Sequence, residues 1–218
     1  MRNSIFILLL SSLILCPAAF AVDSNCSSFA DNESSGDFLI ALVSSASNDS
    51  LLQVDFDNEE ICTLDRDRAA SDISDQAVAE FHINASQDEF AVKATVEDFS
   101  TWLRIDTEYS EELLLDRKTG EGLGLTEAEF QGDNSQLEGQ DFFTEFVDTF
   151  LIGSFEPRSV EASIPHFGVS YEHYQGRGEL PVMPDAAAEF LTVGTIGQKV
   201  LERLIITLDV AESKMYLE

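Results

Sequence analysis

The chain has 218 residues, of which 41 are acidic and 12 are Lys or Arg, so its formal net charge is −29 at pH 7. This charge argues against binding to nucleic acid or to anionic lipid surfaces, because both are bound through basic patches. Apolar residues make up 44% of the chain. Since the acids are scattered among apolar segments, the composition predicts a folded protein and not a disordered one.

Residues 1–21 have the features of a secretory signal peptide. Arg2 supplies the positive start, an apolar run extends from Ile5 to Leu15, and residues 19–21 form an A-x-A cleavage site. The run is too short to span a bilayer. We therefore expect an exported protein, periplasmic or secreted, without a membrane span. A lipid anchor on Cys16 is the weaker alternative, because Leu15 precedes it where a small residue is expected.

Residues 22–80 are expected to form an extension ahead of the main domain. Cys26 and Cys62 are the cysteines that remain after the signal peptide, and an even pair in an oxidising compartment predicts one disulfide. Two free thiols are the alternative. Strand-like apolar runs cover Phe38 to Val43 and Leu51 to Phe56, on either side of a turn-rich stretch. The extension is thus expected to combine a linker with a small β segment.

From Phe81 onward the pattern is mainly that of short strands. Apolar residues alternate through residues 89–96, Glu97 and Asp98 interrupt them, and a second strand then leads to Asp106. Further strand-like runs follow towards the C-terminus, with a short helical segment at residues 198–203. The sequence predicts a mostly β domain over residues 81–218, a barrel or sandwich with one or two short helices.

Two stretches of this domain resemble the retropepsin-like aspartic peptidases, especially the exported bacterial single-domain aspartyl protease families. The catalytic turn of that family reads apolar-apolar-Asp-Thr/Ser-Gly and is followed by leucines and a Leu-Gly-Leu element. Here the matches are Ile105, Asp106, Thr107, Ser110, the leucines at 113–115 and "GLGL" from Gly122. The family's C-terminal element is matched at Ile196, Gly197, Leu201, Arg203, Asp209, Lys214, Tyr216 and Leu217. The resemblance covers Phe81 to Glu218 and implies a closed β-barrel of the acid-protease kind.

The resemblance implies an aspartic-type endopeptidase. Such enzymes hold water between two carboxylates that share one proton. A single-domain chain supplies one of them, so the resemblance implies a homodimer with Asp106 of each copy at the twofold axis. Thr107 would brace the two turns through its hydroxyl, and Ile196-Gly197 would pack beneath them, with the glycine allowing close backbone approach. The expected partner is a peptide or protein substrate, and no metal or other cofactor is expected.

Glu108 stands where the family has glycine. The N–H of that glycine approaches the catalytic carboxylate, and a Cβ is expected to crowd the turn. Glu108 also adds a carboxylate, and each pair of like charges ~4 Å apart costs on the order of 4 kcal/mol at an effective dielectric near 20. The sequence therefore leaves two main interpretations open: an endopeptidase that works at acidic pH, and a catalytically inactive peptide-binding module. An acidic envelope protein without a cleft is a third.

Other candidate sites have weaker patterns. Asp148-Thr149 repeats the Asp-Thr pair, but it lacks the glycine and is too close to Asp106 in the chain for a second catalytic lobe. His166 and His173 occupy a loop-like stretch without the additional convergent ligands that zinc requires. Residues 55–60 offer carboxylates that calcium prefers, but the glycine and distal glutamate of an EF-hand loop are absent, which favours a turn.

Overall fold

The computed structural model describes residues 25–29, 36–84, 89–125, 142–166 and 192–218. The predicted signal peptide and His173 lie outside these ranges. The strands are β1 (Asn25–Ser28), β2 (Ser50–Asp55), β3 (Glu60–Asp65), β4 (Ala77–Asn84), β5 (Glu89–Val96), β6 (Phe99–Ile105), β7 (Leu113–Leu115), β8 (Phe142–Val147), β9 (Phe150–Ile152), β10 (Val160–Pro165), β11 (Thr192–Ile196), β12 (Ile205–Asp209) and β13 (Lys214–Leu217). The helices are α1 (Gly36–Ser45), α2 (Arg66–Ile73), α3 (Arg117–Gly122) and α4 (Gln198–Leu201).

The described strands form one sheet, so the protein is mostly β, as predicted. Hydrogen-bonded neighbours follow the order β1-β3-β2-β12-β13-β4-β5-β6-β11-β7-β10-β8, and β9 pairs with β5. Strand β4 joins the two halves, because residues 77–80 pair with β13 and residues 81–84 pair with β5. This order of paired strands has two ends, at β1 and β8. The strand pairs in this part of the chain therefore do not close the sheet into the barrel that the resemblance implies.

The N-terminal strands are integrated into this sheet. Cys26 and Cys62 face each other in the antiparallel β1–β3 pair and form a disulfide, which confirms the predicted bond. Strand β2 pairs with β3 on one side and with β12 on the other. A domain boundary at residue 80 stays a prediction, and the β2–β12 pair links the two sides of it.

Two predictions of local structure are wrong. The run from Phe38 to Val43 lies in a helix, α1, and not in a strand. Leu39 and Val43 are buried, and their spacing of four residues places them on one helical face. A short unbroken apolar run does not by itself distinguish a buried helix from a buried strand. Residues 117–122, whose glycines favour a turn, form the short helix α3, so the described part of residues 81–218 contains two short helices, α3 and α4, in line with the one or two expected there.

Buried apolar side chains hold the strands that lead to the candidate site. All three residues of β7 are buried, and so are Ile105 at the end of β6 and Ile196 at the end of β11. Most of these side chains belong to one core cluster that includes both halves of the sheet. In the described part of the chain, no helix has the length and apolar character needed to cross a membrane.

Strand β11 lies between β6 and β7, although β6 and β7 follow each other in the chain. It runs parallel to β6 and antiparallel to β7. The loop of residues 106–112, which joins β6 to β7, therefore has to pass the end of β11. As a result Asp106, the first residue after β6, lies beside Gly197, the first residue after β11.

Candidate functional site

The site is built on the ends of two parallel strands. Ile105 of β6 is the register partner of Ile196 of β11. The N–H of Asp106 donates to the carbonyl oxygen of Ile196 at 3.0 Å, which continues the ladder by one bond beyond both strands. The structure thus brings together Asp106 and Ile196-Gly197, which the resemblance places in one site.

Both oxygens of the Asp106 carboxylate accept a hydrogen bond from their own chain. Oδ1 accepts from the backbone N–H of Glu108 at 2.9 Å. Oδ2 accepts from Nη2 of Arg104, which also forms an ion pair with Asp106. The side chain of Arg104 is 10% exposed and that of Asp106 is 15% exposed. The carboxylate of Asp106 is therefore held against the mostly buried guanidinium of Arg104 and does not point freely into solvent.

Glu108 does not crowd the turn in the way the sequence suggests. Its N–H reaches Asp106, and its side chain is exposed. The backbone angle φ of Glu108 is not positive. Within the described ranges, non-glycine residues with positive φ are Glu59, Glu97, Ser159 and Ser213. The expectation that this contact requires glycine is therefore wrong for this chain, because ordinary backbone angles form it.

Gly197 lies under the loop of residues 106–112 at very short range. Its N–H donates to the carbonyl of Glu112 at 2.8 Å, and the N–H of Gln198 donates to the carbonyl of Tyr109, also at 2.8 Å. A Cβ at position 197 would be 2.2 Å from the carbonyl oxygen of Glu111 and 2.5 Å from that of Tyr109. Backbone packing at this point leaves room only for glycine.

Charged pairs tie the same loop to α4 and to β10. Lys199 pairs with Glu111, and Arg203 pairs with Glu112. The second oxygen of Glu112 accepts the backbone N–H of Glu161 at 2.5 Å. The hydrogen bond to Glu111 is the main cause that raises the pKa of Lys199 above its usual value. Glu112 thus connects three segments of the fold through its side chain and its carbonyl.

Tyr109 is the aromatic residue of the loop and is half-buried. Burial raises the pKa of its phenol, and the nearby charges of Glu111 and Glu161 act in the same direction. A side-chain hydrogen bond with Ser163 opposes the shift. Ser163 lies on β10, so this bond is a further connection between the loop and the sheet.

The hydroxyl of Thr107 is buried and has no hydrogen-bond partner among the described residues. Two more buried atoms have no hydrogen-bond partner among the described residues: Nε of Arg104 and Oγ1 of Thr195. Thr195 on β11 is the register partner of Arg104. Buried polar groups usually find a partner, because leaving one unpaired costs free energy. The brace between two chains that the resemblance assigns to Thr107 remains a prediction.

The other candidates from the sequence lie apart from this arrangement. Asp148 is exposed, and its N–H donates to the carboxylate of Glu97. The ring of His166 packs against Phe143. Residues 55–60 form the turn between β2 and β3, where the carboxylate of Asp55 accepts two hydrogen bonds from Asn58.

Within the described ranges, one group of possible metal ligands is dense enough to hold an ion: Cys26, Glu60 and Cys62. Both cysteines are in the disulfide, so they offer no thiolate to a metal.

Arg104, Tyr109 and Glu112 are site residues that the sequence did not predict. Arg104 has a readable signal, because residues two apart on a strand lie on the same face and its charge is opposite to that of Asp106. Tyr109 and Glu112 have no comparable signal, since their contacts are made with residues about 50 to 90 positions away in the chain.

Two solved structures are distantly similar to this chain. No protein-family model and no curated protein matches the chain. Among solved structures, a retropepsin-like aspartic protease from Rickettsia conorii matches at 14% identity and a TM-score of 0.38, covering 65% of this chain and 88% of that one. Basic 7S globulin from soybean matches at 13% identity and a TM-score of 0.40, covering 77% of this chain and 50% of that one. At TM-scores this low, neither match carries an inference about this chain's activity.

Proposed function

We propose that this protein is an aspartic-type endopeptidase whose active form is a homodimer, with one Asp106 from each chain. The observation that carries the proposal is the set of backbone contacts that hold Asp106 in place. Its N–H donates to Ile196, its Oδ1 accepts from the N–H of Glu108, and the loop that follows it lies directly on Gly197. These backbone contacts fix the main chain of Asp106 and the position of its Oδ1.

The chemistry needs a second carboxylate close by. Two carboxylates a few Å apart share one proton, because both cannot be ionised at once. One of them then takes a proton from water while the other donates to the carbonyl oxygen of the peptide bond. The twofold axis of a homodimer supplies this pair from one residue per chain. Arg104 adds a positive charge beside each Asp106, which offsets part of the repulsion that Glu108 adds.

A second candidate is a catalytically inactive module that binds peptides at the same position. The ion pair with Arg104 favours this alternative, since it occupies one oxygen of the carboxylate that would have to act on water. Under either proposal the peptidase-like domain would span residues 81–218, with residues 22–80 as an extension. We also propose export through residues 1–21 to the periplasm or the medium.

Cleavage of denatured, dye-labelled casein between about pH 3 and about pH 7 tests the proposal. The purified chain is compared with Asp106→Asn, which keeps the shape of the side chain and removes its acid function. We expect cleavage at acidic pH by the unaltered protein and a loss of at least about a hundredfold in Asp106→Asn.

Asp148→Asn is the matched control, because it changes the other Asp-Thr pair at an exposed position. It should cleave as the unaltered protein does. Equal cleavage by the unaltered protein and Asp106→Asn would show a different catalytic group. Saturable binding of labelled casein without cleavage at any pH would favour the inactive module.

A further inference from the structure

The contact between Arg104 and Asp106 follows from the geometry of β6. Side chains two positions apart on a strand lie on the same face, so a strand that delivers Asp106 also directs Arg104 towards it. Ile105, between them, points into the apolar core. The two charged side chains are therefore neighbours wherever the strand keeps its regular form.

Arg104 depends on Asp106 as its counterion. Its side chain is mostly buried, and Asp106 is its ion-pair partner within the described residues. A buried guanidinium without an anion is strongly unfavourable. Its neighbour across the strand pair, Thr195, offers a hydroxyl and no charge. The position of the guanidinium is thus set by the same carboxylate that the proposed reaction requires.

The same contact competes with the proposed chemistry. A general base has to accept a proton from water at an oxygen that the water molecule can reach. In this structure Oδ2 accepts from Arg104 and Oδ1 accepts from the N–H of Glu108. The guanidinium that donates to Oδ2 takes up the space beside this oxygen, so a water molecule or a second carboxylate cannot lie there.

We infer that Arg104 is an internal inhibitor of the Asp106 site: its guanidinium occupies the carboxylate and keeps the site in a resting state. This inference rests on the proposed function, since it concerns regulation of the same site. The inhibitory role explains why the turn at Asp106 has its backbone contacts in place while the guanidinium of Arg104 occupies Oδ2. Any agent that withdraws the guanidinium from Oδ2 would activate the site.

Substitution of Arg104 tests the inference directly. Arg104→Met retains a long flexible side chain and removes the charge and the donors. With labelled casein at acidic pH, we expect Arg104→Met to cleave at least about tenfold faster than the unaltered protein. The double variant Arg104→Met/Asp106→Asn should lose that gain. Arg117→Met, which changes an arginine of α3, is the matched control and should cleave at the unaltered rate.

The possible results separate the two ideas. If the unaltered protein cleaves through Asp106 and folded Arg104→Met is no faster, the inhibitory role is wrong and the proposed function stands. If no variant cleaves at any pH, the endopeptidase itself is wrong, and the inhibitor with it. Circular dichroism and thermal melting verify that each variant is folded. Should Arg104→Met fail to fold, Arg104→Leu replaces it, because leucine is also uncharged and offers no donor to Oδ2.

Discussion

Gly197 and Glu111 approach so closely that a Cβ on residue 197 would lie 2.2 Å from the Glu111 carbonyl oxygen. The contact joins the end of β11 to the loop that begins with Asp106. Both partners are backbone atoms with strands or hydrogen bonds on each side, so neither can move away easily.

Gly197→Ala should therefore destabilise the protein strongly. We expect the free energy of unfolding to fall by about 3 kcal/mol, because a rigid overpacked contact forces the backbone to shift. Chemical denaturation followed by tryptophan fluorescence measures the change. Gly122→Ala is the matched control: a Cβ there meets nothing within 4 Å, and removing a helical glycine should raise stability by about 0.5 kcal/mol. Equal effects of the two substitutions would contradict the close approach.

Tyr109 should make stability fall at alkaline pH. Its pKa is raised above the usual 10.0 by burial, so the folded state holds the phenol proton more tightly than the unfolded state does. That contribution is complete below about pH 10 and is lost as the pH rises through the folded pKa. Lys199 acts in the same direction, because its pKa is also raised.

Tyr109→Phe separates the contribution of Tyr109 to this pH dependence from that of Lys199. At neutral pH it should cost about 1 kcal/mol through loss of the bond with Ser163. The difference in unfolding free energy from the unaltered protein should then shrink or change sign as the pH rises from about 10 to about 12. A constant difference over that range would mean that the phenol is not buried on folding.

The disulfide between Cys26 and Cys62 should contribute substantially to stability. It closes a loop over a sequence separation of 36 residues, and the chain-entropy relation gives about 4 kcal/mol for that length. Denaturation with and without dithiothreitol measures it. The Cys26→Ala/Cys62→Ala variant should show the reduced stability and no response to dithiothreitol. A reductant effect of similar size in that variant would assign the loss to something other than this bond.

Glu108 should affect assembly and not the local turn. Its N–H bonds to Asp106 while its side chain is exposed, so Glu108→Gln keeps the turn and removes one negative charge per chain. If the homodimer forms around Asp106, the dimer fraction at neutral pH should rise, because like charges near the axis are fewer. Sedimentation velocity measures this fraction. Glu108→Gly should match Glu108→Gln. A gain in Glu108→Gly alone would show that the Cβ matters after all.

The strands around the site could be predicted from sequence, and the contacts between distant segments could not. Alternation through residues 89–96 and the break after them indicate the hairpin of β5 and β6, and β5–β6 pairing confirms it. The insertion of β11 between β6 and β7 depends on pairing over about 90 residues, for which a strand pattern holds no register information.

The candidate acid could be predicted, but its surroundings could not. Asp106 is identified by its turn motif and by its position at the end of a strand. The role expected of glycine at position 108 proved unnecessary, because the turn forms with ordinary φ values. The prediction for Phe38 to Val43 failed for a different reason: a six-residue apolar run fits a helix or a strand, and packing against β5 decides between them.

Arg104 and Asp106 are held together as an ion pair, and a double-mutant cycle measures the coupling between them. Arg104→Met, Asp106→Leu and the double variant are compared by chemical denaturation. Each single change should cost about 3 kcal/mol, since it leaves a mostly buried charge without its partner. The exposed pair of Lys93 and Glu80 is the control, with an expected coupling below about 0.5 kcal/mol. A coupling of about 2 kcal/mol between Arg104 and Asp106 is the predicted result, and additive costs within about 0.5 kcal/mol would contradict it.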